Sequence, residues 1–128
     1  MSADQVPAGR ELNTAVALEV MGWYEWDGVG DWDGPEGVTM FTYWGDDDGA
    51  LAVYPDSSDE PKSLFDPSHC MGSACEVEDE IERRGLGSQY AGALAVRIRG
   101  GLWDMLRATP EQRCRAALVV VRTVGGAT

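Results

Sequence analysis

The segment from Thr109 to Val124, Thr-Pro-Glu-Gln-Arg-Cys-Arg-Ala-Ala-Leu-Val-Val-Val-Arg-Thr-Val, constrains the fold most, because start signals and an apolar face coincide in it. Thr109 can cap the first free backbone N–H groups, Pro110 suits the first helical position, and Gln112 can reach back to the cap. Cys114, Ala117, Leu118 and Val121 fall on one stripe of a 3.6-residue period, which must be buried. Arg113, Arg115 and Arg122 fall on other faces, and Gly125 and Gly126 supply a stop. The surface that this stripe covers reads as a small sheet.

Four further elements follow from pattern. Leu12, Ala15, Val16, Val20 and Trp23 keep helical spacing from Arg10 to Trp23, after a polar lead over residues 1–9 that is expected to fray. Val38–Trp44 and Leu51–Tyr54 are rich in β-branched and aromatic residues and flank Gly45–Gly49, which reads as a hairpin with an acidic turn. Residues 68–84 read as a second helix capped by Asp66 or Ser68, with Met71, Ala74, Cys75, Glu78 and Ile81 on one face and Gly85 at its end. Leu94, Val96 and Ile98 alternate ahead of Gly100-Gly101, which reads as a second hairpin returning through Leu102–Arg107. The expected fold is α+β: three helices packed with a small antiparallel sheet of two hairpins, in the order α-ββ-α-ββ-α, as one domain over residues 10–125.

Charge divides the chain. The totals are 22 acidic against 10 basic residues, a net charge of −12. Between Glu11 and Glu82 the only basic residue is Lys62, whereas from Arg83 onward the only acids are Asp104 and Glu111. The two parts can attract each other within the fold, or the acidic segment 25–63 can face a basic partner. Such a balance disfavours nucleic acid and anionic membrane as direct partners. No apolar run has the length of a membrane span, and the start Met-Ser-Ala-Asp-Gln lacks the pattern of a secretory signal, so a soluble, intracellular protein is expected.

Chemistry-bearing residues are sparse. His69, Cys70, Cys75 and Cys114 invite a zinc site, but no paired Cys motif is present and the spacing does not match common ligand sets, so neither metal nor cofactor is expected. Cys114 on the apolar stripe reads as a small buried hydrophobe. Asp46, Asp47 and Asp48 lack the spacing of a calcium loop. The carboxylates of the second helix read as a solvated face. Trp26 and Trp32 lie in a Gly- and Asp-rich loop, either pinning it to the domain or serving as exposed anchors.

Three stretches stand out together: Glu11-Leu-Asn-Thr-Ala-Val-Ala-Leu-Glu-Val-Met-Gly-Trp23, the run from Ser68 to Ile81, and Ala108-Thr-Pro-Glu-Gln-Arg-Cys-Arg-Ala-Ala-Leu118. In order and spacing they resemble the phage ABA sandwich domain family of small viral proteins. The resemblance implies helices packed with a small antiparallel sheet, a phage or prophage origin and no established enzymatic activity. Phe65-Asp-Pro-Ser-His69 departs from the family's usual entry to the second helix.

The leading functional expectation is a non-enzymatic phage accessory protein that acts in the host cytoplasm and binds a basic protein surface. A bacterial defence complex of the CRISPR type, inhibited by an acidic surface that mimics nucleic acid, fits that expectation. Its contact residues would be Asp46, Asp47, Asp48, Asp56, Asp59 and Glu60, with Trp26 and Trp32 as anchors. The alternatives are a metal-dependent or enzymatic factor using His69, Cys70 and Cys75, and a dimeric scaffold or virion protein associating through exposed Trp residues. The sequence leaves the oligomeric state open.

Overall fold

The computed structural model describes residues 2–26, 37–43, 49–55 and 63–126. Helix α1 (Arg10–Ala15) continues into a π-helical turn (Val16–Val20). Strands β1 (Tyr24–Glu25), β2 (Met40–Tyr43), β3 (Leu51–Tyr54) and β4 (Ser63–Phe65) follow, then helices α2 (Met71–Arg83), α3 (Gly87–Ile98), α4 (Leu102–Leu106) and α5 (Pro110–Gly126). The class is α+β as expected. The described residues form five α-helices rather than three, and one four-stranded mixed sheet rather than two antiparallel hairpins.

Helix α5 forms where its caps and stripe place it. The Thr109 N–H donates to Gln112 Oε1 at 2.8 Å and the Gln112 N–H donates to Thr109 Oγ1 at 3.1 Å, a reciprocal box. Burial extends beyond the expected stripe to Ala116 and Val120 beside Cys114, Ala117 and Leu118. These mostly small side chains let α1, the π turn, α2 and α3 all pack against α5. Its arginines reach across the same contacts. Arg113 pairs with Glu78 of α2 at 2.8 Å, and Arg122 pairs with Glu19 of the π turn at 2.8 Å. Arg115 donates to the carbonyls of Ala3 and Val6 at 2.9 and 2.8 Å.

That last contact corrects the reading of the N-terminal lead. Ala3 and Val6 are buried in the core, and Asp4 is ion-paired with Arg97 at 2.8 Å, so residues 2–9 are tied down. Apolar contacts and donated hydrogen bonds outweigh the polar composition that suggested fraying.

The first hairpin is present, with Met40 opposite Tyr54 and Tyr43 opposite Leu51; its turn, residues 44–48, lies outside the described residues. β4 adds antiparallel to β3, Leu51 facing Phe65, and β1 adds parallel to β2, Tyr24 facing Met40. Phe41, Leu51, Val53 and Phe65 point from one sheet face into a core shared with Leu12, Val16, Val20, Val77, Ile81 and Leu118.

The second hairpin is replaced by α3 and α4. Tyr90 and Leu94 are buried four residues apart, while Val96 points outward, so the apparent alternation was a helical stripe interrupted by an exposed valine. The alanines of this run favour helix over strand. Arg99 adopts left-handed backbone (φ 54°) and its N–H closes α3 on the Ala95 carbonyl. Gly101 then opens α4, its N–H donating to the Asp104 carboxylate at 3.1 Å. The glycine pair therefore joins two helices.

Asn13 ties α1 to the sheet and to the approach of α2. It is fully buried; its Nδ2 donates to the Gly49 carbonyl (2.9 Å) and Asp66 Oδ1 (2.8 Å), and its Oδ1 accepts from the Ser68 N–H (2.9 Å). Gly49 has φ 96°, and a Cβ there would sit 2.2 Å from the Arg10 nitrogen, so only glycine allows this approach. Asn13→Ala should remove the side-chain partner of the Gly49 carbonyl and of the Ser68 N–H, both in buried contacts, and cost on the order of 3 kcal/mol in urea unfolding. A loss below about 1 kcal/mol would show that the tie contributes little.

Candidate functional site

An open groove of about 530 Å³ runs between α2 and the sheet. Its floor is Met21, Trp23, Val53 and Pro55, and its wall is Glu76, Asp79, Glu80 and Arg83. The wall residues recur at one, four, five and eight, a single stripe of α2. That stripe faces the groove because Ala74, Val77 and Ile81 turn the neighbouring stripe into the core. The expected buried face was therefore displaced: Met71 and Cys75 are exposed and Val77 is inside.

The floor depends on the irregular end of the first helix. In the π turn the Met21 N–H reaches the Val16 carbonyl at 3.0 Å, and the Trp23 N–H reaches the Ala17 carbonyl at 3.0 Å. Gly22, at φ 72°, then swings the chain into β1. Trp23 is held edge-on against Phe65, with ring centroids 4.8 Å apart.

Within the wall, Glu80 is engaged by Arg83 and Arg84. Partial burial pushes its carboxyl up, but the hydrogen bonds and charge of the two arginines outweigh this and hold it below the usual carboxylate range. Glu76 and Asp79 are exposed and have no ion-pair partner among the described residues. The groove thus offers two uncommitted carboxylates beside an indole and aliphatic side chains, a setting suited to a guanidinium or ammonium on an apolar stem.

At the start of α2 lies a second chemically distinct group. Cys70 holds the cap position in place of the expected Asp66 or Ser68, because the Asp66 carboxylate is taken by Asn13 and by His69 Nδ1 at 3.0 Å. The Cys70 thiol is exposed, and backbone N–H groups of Ser73 and Gly72, with the Ser73 hydroxyl, hold it below the ordinary thiol range. Cys114 is buried, and desolvation pushes its thiol up to about 12.

The residues singled out from sequence fare unevenly. Asp46, Asp47, Asp48, Asp56, Asp59, Glu60 and Trp32 lie outside the described residues. Trp26 is half-buried edge-on to Tyr54, centroids 5.4 Å apart, and its buried indole N–H has no partner among the described residues. That placement suits a pin on the sheet better than an exposed anchor. His69, Cys70, Cys75 and Cys114 are not gathered into one set, and no three metal-ligating side chains converge among the described residues. Glu76 and Asp79, read as ordinary solvated positions, were missed as groove residues. Only their shared stripe with Arg83 hinted that they face one surface.

No family model, no curated protein and no solved structure matches the chain.

Thiol chemistry checks the geometry around α2. A neutral alkylating reagent near pH 7 should label Cys70 first, Cys75 more slowly and Cys114 only on unfolding. Ser73→Ala should slow Cys70 several-fold by removing its hydroxyl donor. Equal rates at Cys70 and Cys75 would contradict the cap assignment.

Proposed function

We propose that this chain is a non-catalytic binding protein that recognises a cationic surface on a protein partner. One observation carries the reading: the α2 groove sets Glu76 and Asp79, without an ion-pair partner among the described residues, against the apolar floor of Trp23, Met21 and Val53. Lys or Arg side chains entering it would keep their apolar stems on the floor and their heads at the carboxylates. The wider charge balance favours the same partner, since a net charge of −12 draws basic surfaces and repels nucleic acid. The aspartates of segments 44–48 and 56–60 add to that attraction from the connections on either side of β3.

The resemblance to phage ABA sandwich proteins supports a bacterial setting for this activity. There, a defence nuclease complex whose channel binds nucleic-acid phosphates through Arg and Lys is the partner class best matched to an acidic inhibitor.

A short Arg- and Leu-rich peptide titrated into labelled protein tests the reading. Shifts should centre on Met21, Trp23, Val53 and α2. The double variant E76Q/D79N should weaken binding about tenfold or more, and the triple variant D46N/D47N/D48N should mainly slow association. Binding that persists unchanged in 1 M salt, or that ignores both sets of substitutions, would refute it.

A further inference from the structure

The corner between α3 and α4 carries the most exposed large apolar side chains among the described residues. Val96 is 70% exposed, Leu102 75%, Trp103 68% and Leu106 64%. On α4, Leu102, Trp103 and Leu106 share the outward side, while Met105 alone packs towards the core. A helix that turns three large apolar residues to water while burying one is the reverse of a solvated surface helix.

The charges around this corner are equally unusual for the molecule. Arg83, Arg84, Arg97, Arg113, Arg115 and Arg122 are ion-paired with carboxylates, and Arg10 lies over the Tyr43 ring. The remaining arginines, Arg99 and Arg107, have no ion-pair partner among the described residues, and they stand at the two ends of the α3–α4 corner. Asp104 is the one carboxylate of α4 and is held at the Gly101 N–H, so the corner carries a net positive charge beside the most exposed apolar side chains. The groove along α2 has the opposite net character: on its apolar floor, Glu76, Asp79 and Glu80 outnumber Arg83, which is paired with Glu80.

We infer that the α3–α4 corner docks into the α2 groove of a second copy of this chain, Trp103 entering the groove and Arg99 and Arg107 meeting Glu76 and Asp79. This rests on the groove being a site for cations on apolar stems. The complement comes from net charge: pairing corner with corner opposes two arginines and one aspartate to the same set, whereas pairing corner with groove opposes them to Glu76, Asp79 and Glu80, with only Arg83 among these. Such a contact is head-to-tail, so it leaves a free corner and a free groove at the two ends of any dimer and allows further addition. The contact is small and the copies are both strongly acidic, so a Kd on the order of 0.1 mM is expected. Long-range repulsion should hold the protein monomeric at very low salt and relax near physiological ionic strength, where the Debye length is about 8 Å.

Mixing complementary variants tests this directly. Wild type should gain mass with concentration in sedimentation at about 0.15 M salt. R99E/R107E and Trp103→Ser, which change only exposed side chains, and E76K/D79K should each be monomeric and fold as wild type by circular dichroism. A mixture of Trp103→Ser, with its groove intact, and E76K/D79K, with its corner intact, should form a one-to-one dimer and nothing larger.

A monomeric mixture, or a wild type that stays monomeric, would overturn the inference. So would an E76K/D79K variant that still dimerises alone, since that result indicates corner-to-corner pairing. Sedimentation of monomeric wild type with anionic vesicles would give the corner to a lipid surface instead. Peptide binding in the groove, measured on Trp103→Ser, separates the two ideas: if it persists while self-association fails, the groove remains a cation site and only the second copy is excluded.

Discussion

Helix α5 is the element that the rest of the structure depends on, and the physical reason is the smallness of its buried side chains. Cys114, Ala116, Ala117 and Val120 let four neighbouring segments approach one helix closely. That packing leaves room at the edges for Arg113, Arg115 and Arg122, which reach α2, the N-terminal segment and the π turn. Apolar burial supplies most of the driving force; the arginine contacts fix which element lies where. Charge-assisted bonds to the Ala3 and Val6 carbonyls also satisfy backbone groups that a short buried lead cannot pair for itself.

This arrangement has a consequence for the surface. The second half of the chain is rich in arginine, but most of those arginines are committed to carboxylates inside the same molecule. Glu19, Glu78 and Asp4 in the acidic half are their long-range partners. The attraction between the two halves of the sequence therefore does structural service, and among the described residues it leaves Glu76 and Asp79 outward along the groove face of α2, and Arg99 and Arg107 outward around Asp104 at the α3–α4 corner. The groove exists because the π turn and Gly22 bring Trp23 and Met21 beneath α2, where a continued regular helix would have carried them elsewhere.

Legibility in the sequence followed locality. Helix α5 was readable because Thr109, Gln112 and the apolar stripe lie within a few residues of each other. The β2–β3 pair was readable from its β-branched and aromatic composition. β1 and β4 are too short to show a period. The α3–α4 region was misread because Leu94, Val96 and Ile98 alternate by coincidence and Gly100-Gly101 imitates a hairpin turn. The cap of α2 could not be read locally, since Asp66 is diverted by Asn13, 53 residues away. The groove shares that difficulty: its floor joins Trp23 to Val53 and its wall comes from α2, so no single stretch announces it.

The outward charge of the described residues has a sign pattern: net negative along the groove face of α2 and net positive at the α3–α4 corner. Paramagnetic relaxation by paired cationic and anionic soluble nitroxides, read at each backbone amide, measures that local potential directly. The cationic probe should be enriched along Glu76, Asp79 and the groove floor, and the anionic probe should gain on it between Val96 and Arg107. A uniform ratio over both surfaces, or anionic enrichment along α2, would contradict it.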